Sequence, residues 1–134
     1  MLTRRVFASC AICGVLGLTA SQVAAQPAGG ITRTLLRQED VPGTNYVNMQ
    51  MLVEIEPNAM VARHTHPGHE GSYVIEGESE LLVAGQPPRL IKAGDSFLVQ
   101  AGVPHAARNG AAKTRIFGSF VVEKGKPVAS PAPE

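Results

Sequence analysis

Asn58-Ala-Met-Val-Ala-Arg-His64-Thr-His66-Pro-Gly-His69-Glu70, followed six residues later by Gly77, is the stretch whose reading decides the fold of this chain. It has a counterpart downstream: Gly94-Asp95-Ser-Phe-Leu-Val-Gln100-Ala-Gly102-Val-Pro104-His105-Ala-Ala-Arg-Asn109. All four histidines of the protein lie in these two segments. His64 and His66 stand two apart, so on a β-strand both side chains point to one face. With His105 and Glu70 they make a set of three nitrogens and one oxygen. Such donors suit Fe(II), Mn(II), Ni(II), Cu(II) or Zn(II).

The two segments resemble the paired signatures of the cupin superfamily. In that pattern the first is Gly, five residues, His-x-His, three or four residues, Glu, six residues, Gly. The second is Gly, five residues, Pro, x, Gly, two residues, His, three residues, Asn. His64, His66, Glu70 and His105 fall on the ligand positions, and the resemblance implies that they bind one divalent metal ion. Asn58 stands where Gly is usual, and Asn is the next best residue for a turn with positive φ. Gln100 replaces the usual Pro, which loosens a turn and removes no ligand. The resemblance covers Asn58 to Asn109.

The rest of the chain agrees with an all-β reading. Val47, Met49, Met51, Val53 and Ile55 alternate with polar neighbours as on a half-buried strand. Short strands follow over Gly71–Glu76, Glu80–Val83, Arg89–Lys92, Phe97–Gln100, His105–Arg108 and Arg115–Glu123, separated by Gly and Pro turns. The prolines at 127, 131 and 133 predict a non-sheet tail over Lys124–Glu134. No convincing 3.6-residue apolar period is present after the first 25 residues. Together with the resemblance, this predicts a jelly roll, a double-stranded β-helix closed into a barrel. Closure would bring His105 back to the His64/His66 strand, with the Pro67-Gly68 turn carrying Glu70 onto the next.

Residues 1–25 read as a cleavable export leader and 26–134 as a single cupin domain. Arg4-Arg5 precedes an uncharged run from Val6 to Thr32, and Val23-Ala24-Ala25 suits cleavage before Gln26. Thr3-Arg4-Arg5-Val6-Phe7 resembles the twin-arginine signal, which exports folded proteins, so the expected location is the periplasm. Both cysteines, Cys10 and Cys13, lie in the leader, leaving the mature domain without disulfide or thiolate. Loss of Arg4 and Arg5 leaves 10 basic residues against 11 acidic ones, a formal charge of −1. No basic run and no Trp occur, so neither a nucleic-acid partner nor membrane association after cleavage is expected.

Each remaining residue of interest has a plainer reading. His69 reads as an exposed loop residue facing away from the other histidines, with proton transfer at the pocket mouth as its other use. Tyr73, off the Glu70 face, reads as core or interface packing. Met49 and Met51 read as core, with pocket lining as the other use of Met. Asn109 either orients a ligand or forms a turn. Glu76, Glu78 and Glu80 read as a solvated hairpin edge, Asp95 as a turn acid, and Phe97, Phe117 and Phe120 as core. The Val47-to-Ile55 stripe with Leu35-Leu36 offers apolar surface for a homodimer.

What the resemblance implies about activity is a metal centre with open positions for a small-molecule ligand or substrate. Small cupins with this donor set include dioxygenases, decarboxylases and isomerases. The expected function is a dioxygenase-type oxidoreductase acting on a small oxygenated compound; the alternative is a non-catalytic periplasmic cupin that holds a metal or small ligand.

Overall fold

Period-two alternation of buried and exposed side chains runs through the strands of the computed structural model, which describes residues 29–134. The leader reading of residues 1–25 lies outside the described residues. The strands are β1 (Ile31–Asp40), β2 (Tyr46–Ile55), β3 (Met60–Thr65), β4 (Gly68–Glu76), β5 (Glu78–Val83), β6 (Arg89–Lys92), β7 (Ser96–Val99), β8 (His105–Asn109), β9 (Thr114–Glu123) and β10 (Ser130–Pro131). Among the described residues no helix is long and apolar enough to cross a membrane.

The strands form two five-stranded sheets, ordered β1-β2-β9-β4-β7 and β10-β3-β8-β5-β6, and every pairing is antiparallel. This is the expected double-stranded β-helix. Inward residues of both sheets make the core: Ile55, Val74 and Ile91 are fully buried, with Val61, Leu81, Phe97, Val99 and Ile116 around them. A smaller cluster joins Val47, Met51, Phe120 and Val122 and receives Met49 and Val128. Few aromatics and many branched aliphatics suit a narrow barrel, where β-branched side chains pack well on a pleated face.

Two backbone features place the first signature. Asn58 has φ of 59°, so it does take the left-handed turn where glycine is usual. Gly68 starts β4 so close to β9 that a Cβ there would lie 1.9 Å from the Val121 carbonyl oxygen. Only glycine admits that approach.

Four expectations need correction. The Val47-to-Ile55 stripe faces the interior, with Val47, Met51 and Ile55 buried, so it offers no surface for pairing; Leu35 and Leu36 remain exposed. Phe117 is not core. It lies half-buried opposite Leu52 and Tyr73, on the face of β9 opposite to buried Ile116 and Phe120. The tail is partly sheet: Ser130 and Pro131 pair with Thr65 and His64 on β3. Proline is accepted there because β10 is the edge of its sheet, where a missing N–H costs no ladder bond. Finally, β1 is a full strand where no strand was expected. It is an edge strand with only Ile31 buried, so it carries no alternation to read.

Candidate metal centre

The metal-ligand candidates converge. His64 ends up near the close of β3, His66 just past it, Glu70 inward on β4, and His105 at the start of β8. Ligand atoms of His64, His66 and His105 all lie within 4.8 Å of one another, a group able to hold a metal ion. The Oε2 atom of Glu70 is 3.1 Å from His66 Nε2 and 3.2 Å from His105 Nε2. The Nε2 atoms of His64 and His66 are 3.2 Å apart. His66, Glu70 and His105 are buried, and His64 is half-buried.

Hydrogen bonding on the far side of each ring fixes which nitrogen carries the proton. His64 Nδ1–H donates to the Ala62 carbonyl at 2.8 Å, and His105 Nδ1–H to the Val103 carbonyl at 3.0 Å. His66 Nδ1–H makes a short bond to the Val128 carbonyl. A carbonyl only accepts, so each neutral ring is the Nδ1–H tautomer with a bare lone pair on Nε2. Three lone pairs and a carboxylate oxygen then face one another with no proton between them. Such an arrangement repels itself unless a cation occupies the centre.

The electrostatics point the same way. Burial pushes the Glu70 carboxyl up; contacts with His105, His66 and Ser72 hold it well below the usual carboxylate range when the two rings present positive charge to it, a proton on Nε2 or a metal ion between them. The Ser72 hydroxyl donates to Oε1 at 2.6 Å and fixes the carboxylate's orientation. Glu70 is therefore a buried anion that needs a positive partner at the Nε2 side, a proton or a metal ion. Burial pushes the His64 imidazole down to about 4, against the opposing bond to Ala62, so at neutral pH that ring holds no extra proton. The donor set fits a divalent metal.

Around the cluster lies a cavity of about 70 Å³, room for roughly five water molecules. Its walls are largely apolar, with Met51, Val53, Ile55, Leu81, Phe97 and Ile116 among them. Phe120 stands edge-on to His66 with ring centroids 5.0 Å apart. Val128 and Ala129 of the tail close part of the wall, and Arg33 of β1 also lines it.

The plainer readings sort themselves on this frame. His69 is exposed and faces away from the cluster, though it sits on β4 and not in a loop. Tyr73 is exposed. Met51 lines the cavity, while Met49 packs against the smaller core cluster. Asp95 accepts from the Lys92 N–H as a turn acid. Asn109 touches no histidine. Its Nδ2 donates to the carbonyls of Ile55, Glu56 and Ala112 at 3.0, 2.9 and 2.8 Å. Its Oδ1 lies 2.8 Å from Ser79 Oγ and 2.6 Å from Thr114 Oγ1.

Three contributors had not been singled out from sequence. Ser72 carries a usable signal, since it lies two residues from Glu70 on the same face. Arg33 shares the parity of buried Ile31 and pairs with Val53, a signal hidden by the missed β1. Val128 acts through its carbonyl and leaves no side-chain signal at all.

Residues 51–117, half of the chain, match the Cupin domain family, and the chain belongs to that family. Over 45 residues it is 42% identical to dimethylsulfoniopropionate lyase DddQ of Ruegeria pomeroyi, a match covering 34% of this chain and 22% of the lyase. The crystal structure of that lyase superposes with a TM-score of 0.60 at 24% identity, over 63% of this chain and 43% of the other. The chain thus spans less than half the length of this relative. An RmlC-like cupin from Shewanella frigidimarina is 28% identical with a TM-score of 0.60, covering 73% of this chain and 81% of its own. A double-stranded β-helix protein of Klebsiella pneumoniae gives 25% identity and a TM-score of 0.62 over 83% and 92%.

Proposed function

We propose that this chain is a metal-dependent cupin enzyme: His64, His66, Glu70 and His105 hold one divalent ion, and a small organic substrate occupies the cavity beside it. The observation that carries this reading is the shared tautomer, three Nε2 lone pairs turned onto one buried carboxylate. When bound, the ion would supply Lewis-acid or redox chemistry at the edge of the cavity. The chain's own residues do the rest. Backbone carbonyls orient the three rings, Ser72 orients Glu70, and Met51, Ile55, Leu81 and Phe97 keep bulk water from the site.

Within that class, a dioxygenase-type oxidation of a small oxygenated compound fits the lining best. Among the described residues, beyond the four proposed ligands, the only ionisable side chain on the cavity wall is Arg33, which cannot act as a general base at neutral pH. A reaction that depends on a protein base is therefore poorly served. Lyase-type cleavage is the second reading, favoured by the 45-residue likeness to dimethylsulfoniopropionate lyase. A holding protein without turnover is the third.

One experiment separates them. The protein is loaded with Fe(II), and dissolved oxygen and products are followed across a panel of small acids and phenols. Substrate-dependent oxygen uptake supports the dioxygenase reading. Product formation without oxygen uptake moves the assignment to the lyase reading, and tight binding of a panel member without turnover to the holding reading.

We also propose export of the folded chain to the periplasm, supported by Thr3-Arg4-Arg5-Val6-Phe7 and the uncharged run after it. Changing Arg4 and Arg5 together to Lys keeps the charge and should block export; normal periplasmic yield of that variant would exclude the twin-arginine route.

A further inference from the structure

Arg33 is a cation placed at the wall of a cavity that already gathers a cation-binding cluster. It sits on β1 opposite Val53, and directly opposed residues of an antiparallel pair share a face, so both side chains turn to the cavity. The neighbouring pairs on that face are Ile31 with Ile55 and Leu35 with Met51. Among the described residues Arg33 has neither an ion pair nor a side-chain hydrogen bond, while other basic side chains, such as Lys113, Arg115 and Lys124, are paired to carboxylates. Arg33 as a whole is exposed on the edge strand, yet its side chain lines the cavity. The partial desolvation there lowers its pKa, and the field of Glu70 opposes that shift.

The bland explanation is that Arg33 serves only to balance the buried charge of Glu70. It does not account for the arrangement. Glu70 already faces the ring nitrogens, and no Arg33–Glu70 ion pair within 4.0 Å is formed. Once a divalent ion is bound, Arg33 adds like charge to the cavity and weakens the ion's hold. With three neutral imidazoles and one carboxylate around the ion, the loaded cavity is left with an excess of positive charge. An anion entering it would relieve that excess, and a guanidinium presents the planar fork that a carboxylate matches.

We propose that Arg33 is the substrate-recognition residue of this cavity and that the ligand it selects is a small organic carboxylate. The carboxylate lies on the guanidinium, and the remaining few atoms of the molecule lie among the apolar walls and reach toward the histidine cluster. The cavity of about 70 Å³, partly open to solvent, suits a small ligand. The assignment deepens the metal-enzyme reading and rests on it for what happens at the far end of the ligand; recognition of the carboxylate does not.

Sodium propionate and its neutral counterpart propionamide are the probes, titrated calorimetrically into metal-loaded protein and into chelator-treated protein. Metal content is measured on the same samples. Propionate should bind the parent chain and propionamide at least about tenfold more weakly, the range expected for a charge-assisted bidentate pair. Arg33→Gln should weaken propionate by about 10- to 100-fold and leave propionamide unmoved. Arg33→Lys should fall between, keeping the charge but not the fork. Metal content of Arg33→Gln should equal or exceed that of the parent, because a repelling charge is removed. Equal propionate affinity in parent and Arg33→Gln overturns the proposal, and so does a parent that prefers propionamide. A parent that carries no metal yet binds propionate through Arg33 overturns the metal reading and leaves the recognition residue standing.

Discussion

Strand β8 carries a buried polar residue at each end, and the two ends solve the same problem in opposite ways. At its end, Asn109 meets three backbone carbonyls with its amide nitrogen and two hydroxyls with its oxygen. The polypeptide satisfies this group almost alone. Two groups share protons there: the two N–H protons of the Asn109 amide serve three carbonyls, and the Thr114 hydroxyl, which also lies 2.9 Å from the Glu78 carbonyl, serves two acceptors with one. At its start, His105 joins His64, His66 and Glu70 in a group made of acceptors facing acceptors. A closed polar knot serves the fold, and an open one awaits a ligand. Burial alone does not distinguish them; the balance of donors and acceptors does.

The contrast is broken most forcefully at His66. Replacing it with Ala should empty the site, with an effect larger than the roughly 10- to 100-fold loss of affinity that follows removal of an outer hydrogen-bond partner. Elemental analysis should find about one ion per parent chain and close to none in the variant, while circular dichroism stays that of a β barrel. Full metal content in His66→Ala would remove the ligand assignment.

Asn109→Ala is the complementary cut. It strands several buried carbonyls and hydroxyls and should cost about 3 kcal/mol of stability. The loss should be the same with and without chelator, because the knot takes no part in metal binding. A loss that depends on metal would show the two ends of β8 to be one coupled unit.

Removing residues 128–134 tests the tail. The truncation deletes the Val128 carbonyl that fixes the His66 tautomer and the Ser130–Pro131 pairing beside His64. Metal affinity by chelator competition should drop about 10- to 100-fold, with His66 ring nitrogen shifts showing mixed tautomers. Unchanged affinity would reduce the tail to packing.

Because His64 is only half-buried and its shift is screened by solvent, the smallest effect is that of pH on the metal-free chain. The folded environment lowers the His64 pKa from 6.5 to about 4. The native state therefore binds fewer protons than the unfolded chain between those values, and stability is full above about 6.5 and erodes as pH falls toward about 4. Metal binding should weaken over the upper part of the same window, since protons compete for the ring nitrogens. The destabilisation caused by Asn109→Ala should not vary across this range, as Asn109, Ser79 and Thr114 do not titrate. Thermal melts of parent and variant without metal, taken at several pH values, measure both slopes.

The architecture was legible because the signature residues carry hard constraints. His64 and His66 at spacing two and the turn at Asn58 each admit few backbones, whereas Gly68, read as part of a turn, opens β4. What was not legible has physical reasons. β1 is an exposed edge strand, so its residues need no alternation, and Arg33 was hidden with it. Phe117 looked like core because an aromatic usually is, yet the parity set by Ile116 and Phe120 turns it to the opposite face. The tail prolines pointed to coil, and edge position made a short strand acceptable. Val128 contributes a carbonyl, which every residue type possesses, so no reading of side chains could find it.

The five-residue span from His105 to Asn109 also bears on how the barrel is assembled. Both side chains, with Ala107 between them, share one parity of β8. A slip of one residue would expel both at once and drive Arg108 inward, where its charge has no partner. The Asn109 end asks for nothing but backbone and hydroxyl groups, so the chain can lock the phase of this strand before any ion arrives. His105 is then delivered already aligned. If the proposed ion binds, its uptake would then be a late event on a finished frame, limited by diffusion and desolvation and not by folding.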